Sequence, residues 1–243
     1  TITTSELIQP PTVTVAGRAA SVTCVDRVCT ATITVIAGDA SGDIDWTIAS
    51  ISDIAGNSGS GRSKTSEGTT DGTAVDLDTT ALMLTSVSLA SDNDSSLHAK
   101  TGDEVTLSII ASKAINVPTI VFTDAGGNVV ADSRVTLVGS AGNTSFSAAF
   151  AVASGDTDGP VTISVDYSDS VGGNVGSTVS DVTDGTSVTI DTVPPVLSPV
   201  SISANPSTGG VGSVITVTFT PTEPLLPGST VTIAGVAATD VAC

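Results

Sequence analysis

The chain has 243 residues, of which 13% are charged and 2% aromatic, and its 25 acidic against 7 basic residues give a net charge of −18. Seven scattered Lys and Arg side chains cannot form the basic surface that nucleic acids bind, and an anionic membrane would repel so acidic a chain. We therefore expect neither a nucleic-acid partner nor membrane insertion, and the sequence has no apolar run of about 18 residues that could span a bilayer.

Alternation of polar and apolar residues, rich in Val, Ile and Thr, runs along almost the whole chain. This period of two is typical of half-buried antiparallel strands, and Gly, Asn, Asp and Pro interrupt it at the spacing expected of a β-sandwich. The clearest stretches, in chain order, are TVTVAG (12–17), TATITVIAG (30–38), EVTLSII (104–110), PVTISVDYSD (160–169) and SVITVTFTPTE (213–223). The alternation breaks after Ile48, which predicts a β-bulge, and DAGGN at 124–128 predicts a hairpin turn.

Two phrases of the sequence occur twice. TVTVAG at 12–17 returns as TVTIAG at 230–235, and TDGTAVDLDT at 70–79 returns as TDGTSVTIDT at 183–192. The second pair is shifted by 113 residues, from position 70 to position 183. A repeat of this length is a whole small domain, so the pattern predicts a tandem array of domains rather than a solenoid of short repeats.

The repeat divides the chain into three segments. The first segment, residues 1–77, lacks its opening strand; the central segment, 78–190, is complete; and the last segment, 191–243, holds only opening strands. About seven strands are predicted in the central segment, which is the strand number of an immunoglobulin-like sandwich. Pro194 and Pro195 mark the last border, where they prevent a strand from running on between domains. The predicted fold class is therefore all-β, with tandem immunoglobulin-like sandwiches, one complete and two partial.

The same phrases carry a family resemblance. The chain resembles the bacterial Ig-like (Big-type) tandem repeats of large secreted and surface adhesin-like proteins, through DTVPPVLSPVSISA, TGDEVTLSIIASKA, STVTIAGVAA, SDIAGN and TDGTSVTID. It departs from the family pattern where TDAGGNVV replaces TIAG and where SDSVGGN has one residue more than SDIAGN. The resemblance implies a secreted structural or adhesive module, so we expect an extracellular or cell-surface location.

The function that we expect is architectural, as a segment of an extracellular filament or stalk. Sandwiches joined by short proline-bearing linkers make semi-rigid rods. Partial sandwiches expose edges and half a core, so the first segment of one chain could be completed by the last segment of another copy, giving a head-to-tail homopolymer. One long polypeptide of neighbouring repeats, of which this chain is a part, explains the repeat equally well. The alternative function is a ligand-binding adhesin repeat, and a more distant one is a set of accessory domains of a secreted enzyme.

Two of the three cysteines, Cys24 and Cys29, are separated by four residues between two predicted strands. Cysteines that face each other across a hairpin can reach disulfide distance, and in an exported chain we expect the bond, with two reduced thiols as the alternative. Zinc is disfavoured because the chain has one His and no second cysteine pair. Cys243 has the position of Cys24 in the next repeat, so its partner lies either beyond the chain or on another chain.

Asp and Asn residues recur in the predicted loops of both repeats, and their oxygens are ligands that calcium prefers. The sequence has no EF-hand loop, and the competing interpretation is that these residues form turns through hydrogen bonds to their own backbone. No other cofactor is indicated. The candidate calcium ligands are Asp53, Asn57, Asp78, Asp169, Asn174 and Asp191, with Asp71 and Asp184 in matching loops.

Other reactive side chains give weaker indications. His98 is the only histidine and lies in a predicted loop without a nucleophile motif, so we do not expect an enzyme. Lys100 and Lys113 are conceivable partners in a Lys–Asn isopeptide cross-link, although solvated lysines at strand ends are the simpler interpretation. Asn93 and Asn143 begin Asn-X-Ser sequons in predicted loops and are candidate glycosylation sites.

Overall fold

The chain is built from β-strands joined by turns and loops. The computed structural model describes residues 1–225 and 230–238. Within them the only helix is a short 3-10 turn at Asp132–Arg134, which confirms the all-β class that the alternation predicts. The chain divides into two compact units, Thr1–Ile190 and Asp191–Cys243. Across the described ranges we find no helix with the length and apolar character needed to cross a membrane.

The first segment consists of short strands paired in small antiparallel sheets. They are β1 (Ile2–Thr3), β2 (Val13–Val15), β3 (Arg18–Ala19), β4 (Ser21–Val25), β5 (Val28–Thr32), β6 (Gly42–Asp43), β7 (Trp46–Ile48), β8 (Ile51–Ser52), β9 (Ser58–Gly59), β10 (Arg62–Ser63) and β11 (Asp76–Leu77). β5 lies between β1 and β4, and β2 lies between β3 and β7. β7 ends at Ile48, the residue after which the alternation breaks.

The central segment forms two layers of antiparallel strands. Its strands are β12 (Leu84–Ser91), β13 (His98–Ala99), β14 (Glu104–Ile115), β15 (Thr119–Thr123), β16 (Val135–Val138), β17 (Asn143–Ala151), β18 (Gly159–Pro160), β19 (Thr162–Asp166) and β20 (Thr189–Ile190). One layer is a four-stranded sheet with the order β12-β14-β17-β16. In the other layer, β15 pairs with β19 and β18 pairs with β20. β13 forms a short parallel pair with β20. β18 and β19 correspond to one predicted strand that is interrupted at Val161.

A single hydrophobic core lies between these two layers. On β14 every second residue is buried, at Val105, Leu107 and Ile109. Phe122 of β15 packs against Phe150 of β17, with ring centroids 4.9 Å apart. Burial of each large side chain stabilises the fold by about 1.5–3 kcal/mol. The other core residues are Leu82, Val87, Leu89, Ala99, Ala111, Ile115, Val130, Phe146, Ala148, Val152, Val161, Ile163, Val165, Tyr167, Val188 and Ile190.

The first segment has a much smaller core, although the structure describes all of its residues. Its buried apolar residues are Pro11, Val13 and Cys29, while Trp46 is half-buried and Val75 is exposed. The sequence pattern is as alternating here as in the central segment. The strands therefore form, but nothing within the first segment covers one of their apolar faces.

The last segment is a separate unit and is described by itself. Its strands are β21 (Leu197–Ala204), β22 (Ile215–Pro221), β23 (Thr232–Ile233) and β24 (Val236–Ala237). β21 and β22 form an antiparallel pair, which we call the last hairpin. None of the described residues of this segment is buried. Cys243, whose partner the sequence leaves open, lies outside the described residues.

Loss of two methyl groups from the core should destabilise the central segment far more than the same loss from its surface. Val165 on β19 is fully buried, whereas Val138 on β16 is 61% exposed. We expect Val165→Ala to lower the free energy of unfolding by about 2 kcal/mol, because lost burial and the cavity left behind add together. Val138→Ala should change it by less than about 0.5 kcal/mol. Amide hydrogen exchange on β14 measures the free energy of unfolding of both variants. An equal loss of stability in the two variants would contradict the core described above.

Candidate functional site

One lysine of the central segment is surrounded by oxygen atoms. The Lys113 ammonium lies 2.7 Å from Asp78 Oδ2 and 3.0 Å from Asp169 Oδ2. It also donates a hydrogen bond of 2.9 Å to the Thr80 carbonyl. The Asn174 side chain joins the two aspartates, because its Nδ2 donates to Asp169 Oδ2 at 2.8 Å and to the Asp78 carbonyl at 2.9 Å. We call these five residues the Lys113 cluster.

Three separate parts of the chain position the cluster. Asp78 belongs to the border between the first and central segments, and Lys113 lies near the end of β14. Asp169 is placed by an isolated antiparallel bridge to Ile115, the last residue of the same strand. The cluster therefore ties the segment border and the loop after β19 to the end of β14.

The cluster holds its acid and its base in their charged forms. Burial of Asp169, whose side chain is 1% exposed, opposes ionisation, but hydrogen bonds from Asn174 and Lys113 lower the pKa of this carboxyl below its ordinary value. The hydrogen bond to Asp78, helped by that to Asp169, raises the pKa of Lys113. A lysine acts as a nucleophile only when its ammonium loses a proton. The geometry thus favours an ion pair at Lys113 over an isopeptide cross-link.

Asp169 and Asn174 form one of three similar turns. In each turn, an aspartate carboxylate accepts hydrogen bonds from the backbone N–H and the side-chain amide of an asparagine four or five residues later. The three pairs are Asp53–Asn57, Asp124–Asn128 and Asp169–Asn174. The Thr157 N–H also donates to Asp124, at 2.9 Å, and this bond together with those from Asn128 holds the pKa of Asp124 well below its usual range.

The structure brings three of the six candidate calcium ligands together. Asp78, Asp169 and Asn174 meet in the Lys113 cluster, where the ammonium lies between the two carboxylates and Asn174 donates to both aspartates through its amide nitrogen. In the described part of the chain, no group of three or more His, Cys, Asp or Glu side chains is arranged to hold a metal ion.

The other three candidates are placed differently. Asp53 and Asn57 bind each other within their own turn, with Asn57 Nδ2 donating to Asp53 Oδ2 at 2.7 Å. Asp191 belongs to the separate last unit, where its Oδ1 accepts from the Val193 N–H at 3.3 Å. These hydrogen bonds support the turn-forming role of the aspartates and asparagines, and calcium binding stays a prediction.

The predicted disulfide is present between Cys24 and Cys29. The two residues lie directly opposite each other in the β4–β5 ladder, with 4.0 Å between their Cα atoms. The turn between them places Asp26 at a φ of 51°, in the left-handed region that Asp tolerates better than most residues. Disulfides persist in oxidising compartments, so the bond is consistent with an exported chain.

The two sequons differ in accessibility. The Asn93 side chain is half-buried, and its Nδ2 donates to Asp103 Oδ2 at 2.6 Å. This bond, with those from Lys100, lowers the pKa of Asp103 to about 2. Asn143, at the start of β17, is exposed. A glycan is attached at the asparagine Nδ2, so Asn143 offers the more accessible of the two predicted attachment sites.

His98 and Lys100 make local contacts on the surface. His98 is exposed and begins β13 rather than lying in the predicted loop, and its Nδ1 lies 3.0 Å from the hydroxyl of Ser95, three residues earlier in the loop before that strand. The Lys100 ammonium lies 2.5 Å from Asp103 Oδ1, and its side chain is 67% exposed. Lys100 is thus a solvated lysine that pairs with a neighbouring carboxylate.

Two arginine–aspartate pairs have no counterpart among the sequence predictions. Arg134 pairs with both carboxylate oxygens of Asp156, at 2.7 and 2.5 Å, and donates to the Ala151 carbonyl. In the first segment, Arg18 pairs with Asp39 at 2.6 Å and donates to the Thr34 carbonyl. The near-equal separations of 22 and 21 residues are a signal that could have found them.

An open cavity of about 450 Å³ lies on the first segment. Its walls include the apolar side chains of Val15, Trp46 and Val75. Lys64 and Asp43, which form an ion pair, also line it. The apolar face that the first segment leaves uncovered therefore borders a space large enough for several side chains.

The TDGT phrase forms the same loop in both repeats. Thr186 Oγ1 donates to Asp184 Oδ1 at 2.7 Å in the central segment, and Thr73 Oγ1 donates to Asp71 Oδ1 at 2.8 Å in the first. These bonds lower the pKa of both aspartates. Because each hydroxyl donates its hydrogen to an aspartate, its oxygen lone pairs stay open to another donor.

In the central segment the TDGT loop binds the opening strand. The Val87 N–H donates to Thr183 Oγ1 at 2.8 Å, and the Leu89 N–H donates to Thr186 Oγ1 at 2.9 Å. In return, the Thr183 N–H donates to the Val87 carbonyl at 2.8 Å. β12 is thus attached by its backbone both to β14 and, through threonine side chains, to the loop that precedes β20.

No model of a known protein family matches the chain, and no curated protein sequence does either. The resemblance to bacterial Ig-like repeats accordingly stays a prediction, carried by the quoted phrases.

Replacing Lys113 by Met should weaken the central segment and change its pH dependence. The lowered pKa of Asp169 means that its contribution to stability is present above about pH 4 and is lost as pH falls through the lower folded-state value. The raised pKa of Lys113 means that its contribution is present below about pH 10.5 and is lost as pH rises through the higher folded-state value. We expect Lys113→Met to raise the pKa of Asp169 and to remove the alkaline loss that Lys113 causes.

Carboxyl NMR titration of Asp169 and urea unfolding across the pH range measure these effects. Lys100→Met is the matched control, because it removes an ammonium that is 67% exposed and pairs with a different carboxylate. It should leave the pKa of Asp169 unchanged. An unchanged Asp169 pKa in Lys113→Met would show that the cluster does not form.

Proposed function

We propose that the chain is a load-bearing segment of an extracellular filament or stalk, built from tandem immunoglobulin-like domains. The observation that carries this proposal is the strand order of the central segment. Further support comes from the recurrence of its contacts in the first segment, from the disulfide, and from the hydrogen bonds that hold the end strands of the central segment.

The strand order of the central segment supports an immunoglobulin-like topology. Lettered in chain order without the short β13, the sheet β12-β14-β17-β16 has the order A-B-E-D. The opposite layer then contains strands C, F and G as β15, β18–β19 and β20. An ABED sheet packed on a CFG sheet is the arrangement of constant-type immunoglobulin domains.

The first segment repeats parts of this arrangement. Phe122 lies opposite Ile163 in the β15–β19 pair, and Val15 lies opposite Trp46 in the β2–β7 pair. In the sequence, Trp46 precedes Ile163 by 117 positions. The same shift separates Asp39 from Asp156 and Thr34 from Ala151, the residues that the two arginines bind. Shared register and shared ion pairs favour two copies of one domain type.

The surface chemistry suits a structural protein outside the cell. The Cys24–Cys29 bond favours an oxidising compartment. Charged residues are 13% of the chain, about half the share in an average globular protein, so Ser, Thr, Asn and Gly must form much of the surface. In the Lys113 cluster, the polar groups fix loops to strands.

A filament or stalk transmits force from one end of each domain to the other. Near the ends of the central segment, β12 is bound to the TDGT loop through Thr183 and Thr186. β20 is bound to β13 by a parallel pair, and the Thr189 N–H donates to the Leu97 carbonyl at 2.9 Å. Pulling along the strands loads such hydrogen bonds side by side, so several must break together.

Single-molecule pulling should therefore unfold the central segment in one step. Residues 78–190 release a chain of roughly 370–400 Å when fully extended, at about 3.3–3.6 Å per residue. We expect Thr183→Val to lower the unfolding force, because it removes the hydroxyl that binds the backbone of Val87. Thr178→Val is the matched control, because the Thr178 hydroxyl binds only an exposed carboxylate, that of Asp166, among the contacts described. Gradual extension without a step would contradict a load-bearing role, as would equal forces in the two variants.

A further inference from the structure

The Cys24–Cys29 disulfide lies where the central segment has an unlinked pair of residues, Gly139 and Phe146. We infer that the disulfide is a redox-sensitive switch, which holds the first segment in its packed form when it is oxidised and releases it when it is reduced. The central segment contains no cysteine, so reductant leaves it unchanged. The switch does not depend on the filament proposal, because it concerns how two similar hairpins are held together.

Strand β5 of the first segment corresponds to β17 of the central segment. The residues that the two arginines bind differ by 117 positions, and the same shift takes Cys29 to Phe146. The neighbouring strands agree, because Ile2 of β1 lies opposite Cys29 and Ile109 of β14 lies opposite Phe146. Both side chains are buried, with Cys29 0% and Phe146 4% exposed. Cys29 therefore has the position of a buried phenylalanine.

The strand on the other side of β5 shows the same correspondence. β4 and β5 pair with Cys24 opposite Cys29. β16 and β17 pair in a register that brings Gly139 opposite Phe146, one position beyond the last pair of the ladder. Four residues lie between the two cysteines and six between Gly139 and Phe146, so the two hairpins differ in the length of the turn and share the facing pair. Cys24 thus corresponds to Gly139.

In the central segment, the ring of Phe146 fills the space beside Gly139. A Cβ atom at Gly139 would lie 2.3 Å from Phe146 Cδ1, so any side chain there would displace the ring. The φ of 131° at Gly139 also favours glycine. An aromatic ring that lies over a facing glycine stabilises a strand pair. The Gly139–Phe146 pair therefore supports its hairpin through packing, without a covalent bond.

In the first segment, the disulfide takes the place of this ring. No phenylalanine occurs in residues 1–77, and Cys29 is the one buried residue of β4 and β5. A thiol is much smaller than a phenyl ring, so an unbonded Cys29 leaves the hairpin without an equivalent contact. The bond to Cys24 supplies that contact covalently. Reduction therefore removes from this hairpin what loss of the Phe146 ring would remove from the other.

Reduction of the bond is an exchange of two electrons and two protons with a dithiol. A thiolate of the reductant attacks the Cys24 sulfur, because Cys24 is half-buried and Cys29 is not exposed. Cys29 leaves as a thiolate and takes up a proton, while a mixed disulfide with Cys24 remains. The second thiol of the reductant then displaces Cys24, which also takes up a proton. Two thiols replace the disulfide, and the reductant becomes a cyclic disulfide.

The broken bond lies at the middle strand of a sheet. β5 is paired with β1 on one side and with β4 on the other. The Arg27 carbonyl, in the turn between the cysteines, also accepts from the Thr4 N–H at 2.9 Å. Without the bond, β4 and this turn loosen, and the contact with β1 weakens. In an exported chain, the first segment is then completed only in the oxidising compartment, and this role alone rests on the proposed function.

Hydrogen exchange in the full chain tests the switch, with Cys243→Ser in every variant so that no third thiol takes part. Exchange on β5 reports on the first segment, and exchange on β14 reports on the central one. We expect dithiothreitol to raise the exchange rate on β5 by about tenfold or more and to leave the rate on β14 unchanged. Trp46, the only tryptophan, lies on β7 of the first segment, so its fluorescence gives an optical measure of the same change.

Exchanging the two facing pairs separates the effect of the bond from that of its position. Cys24→Gly with Cys29→Phe copies the central pair, so exchange on β5 should stay slow with and without reductant. Cys24→Ser with Cys29→Ser has neither bond nor ring and should exchange at the rate of the reduced parent in both conditions. In the chain that already copies the central pair, Gly139→Cys with Phe146→Cys should form a disulfide, seen by mass spectrometry. Exchange on β17 should then become sensitive to reductant.

Three results would overturn the switch. The first is exchange on β5 that does not respond to the reductant. The second is an equal rise on β14, which would show that the reductant acts on the whole chain. The third is failure of both transfers, because the two hairpins would then not be equivalent. The pulling experiment measures the central segment, so a failure there would remove the load-bearing role and leave the switch standing.

Discussion

A two-layer β fold buries its core only when both layers are complete, and everything else in this chain depends on that constraint. Aromatic residues are 2% of the sequence, so the core must be built from many small side chains rather than a few large ones. Each Val or Ile contributes about 1.5–3 kcal/mol, and only when it is covered on the side that faces the other sheet. In the central segment both layers are present and Val87, Val105 and Val165 are fully buried. In the first and last segments, strands of the same pattern leave Val75 and Val200 exposed.

Three cations of the chain lie where they neutralise carboxylates whose side chains are almost fully buried. Asp169, Asp156 and Asp39 have side chains that are 1%, 9% and 4% exposed, and each is paired with a Lys or Arg. The other aspartates in the turns are satisfied by amides, hydroxyls and backbone N–H groups, which requires no counterion. At the Lys113 cluster an ammonium from the chain's own sequence lies between the two carboxylates and neutralises part of their charge.

Local features could be predicted from the sequence, and distant ones could not. The Cys24–Cys29 bond and the strand at β14 follow from spacing and alternation over a few residues. The Lys113 cluster joins residues up to 96 positions apart, and no pattern along the chain connects them until the sheets are paired. Lys113 also lies at a strand end, where an exposed lysine is the usual expectation. The uncovered face at Val75 is equally invisible, because its sequence matches that of the buried Val188 and differs only in what lies opposite.

The TDGT loop explains why an opening strand can be treated as separable from the rest of its domain. β12 is hydrogen-bonded to β14 by a continuous ladder, but it is joined to the opposite layer through Thr183 and Thr186 side chains. The β12–β14 ladder lies within the hairpin itself. The Thr183 and Thr186 acceptors, in contrast, belong to a loop of the other layer. The hairpin and the remaining strands are thus two bodies, each internally paired, that meet through threonine side chains, one backbone hydrogen bond from Thr183 to Val87 and an apolar face.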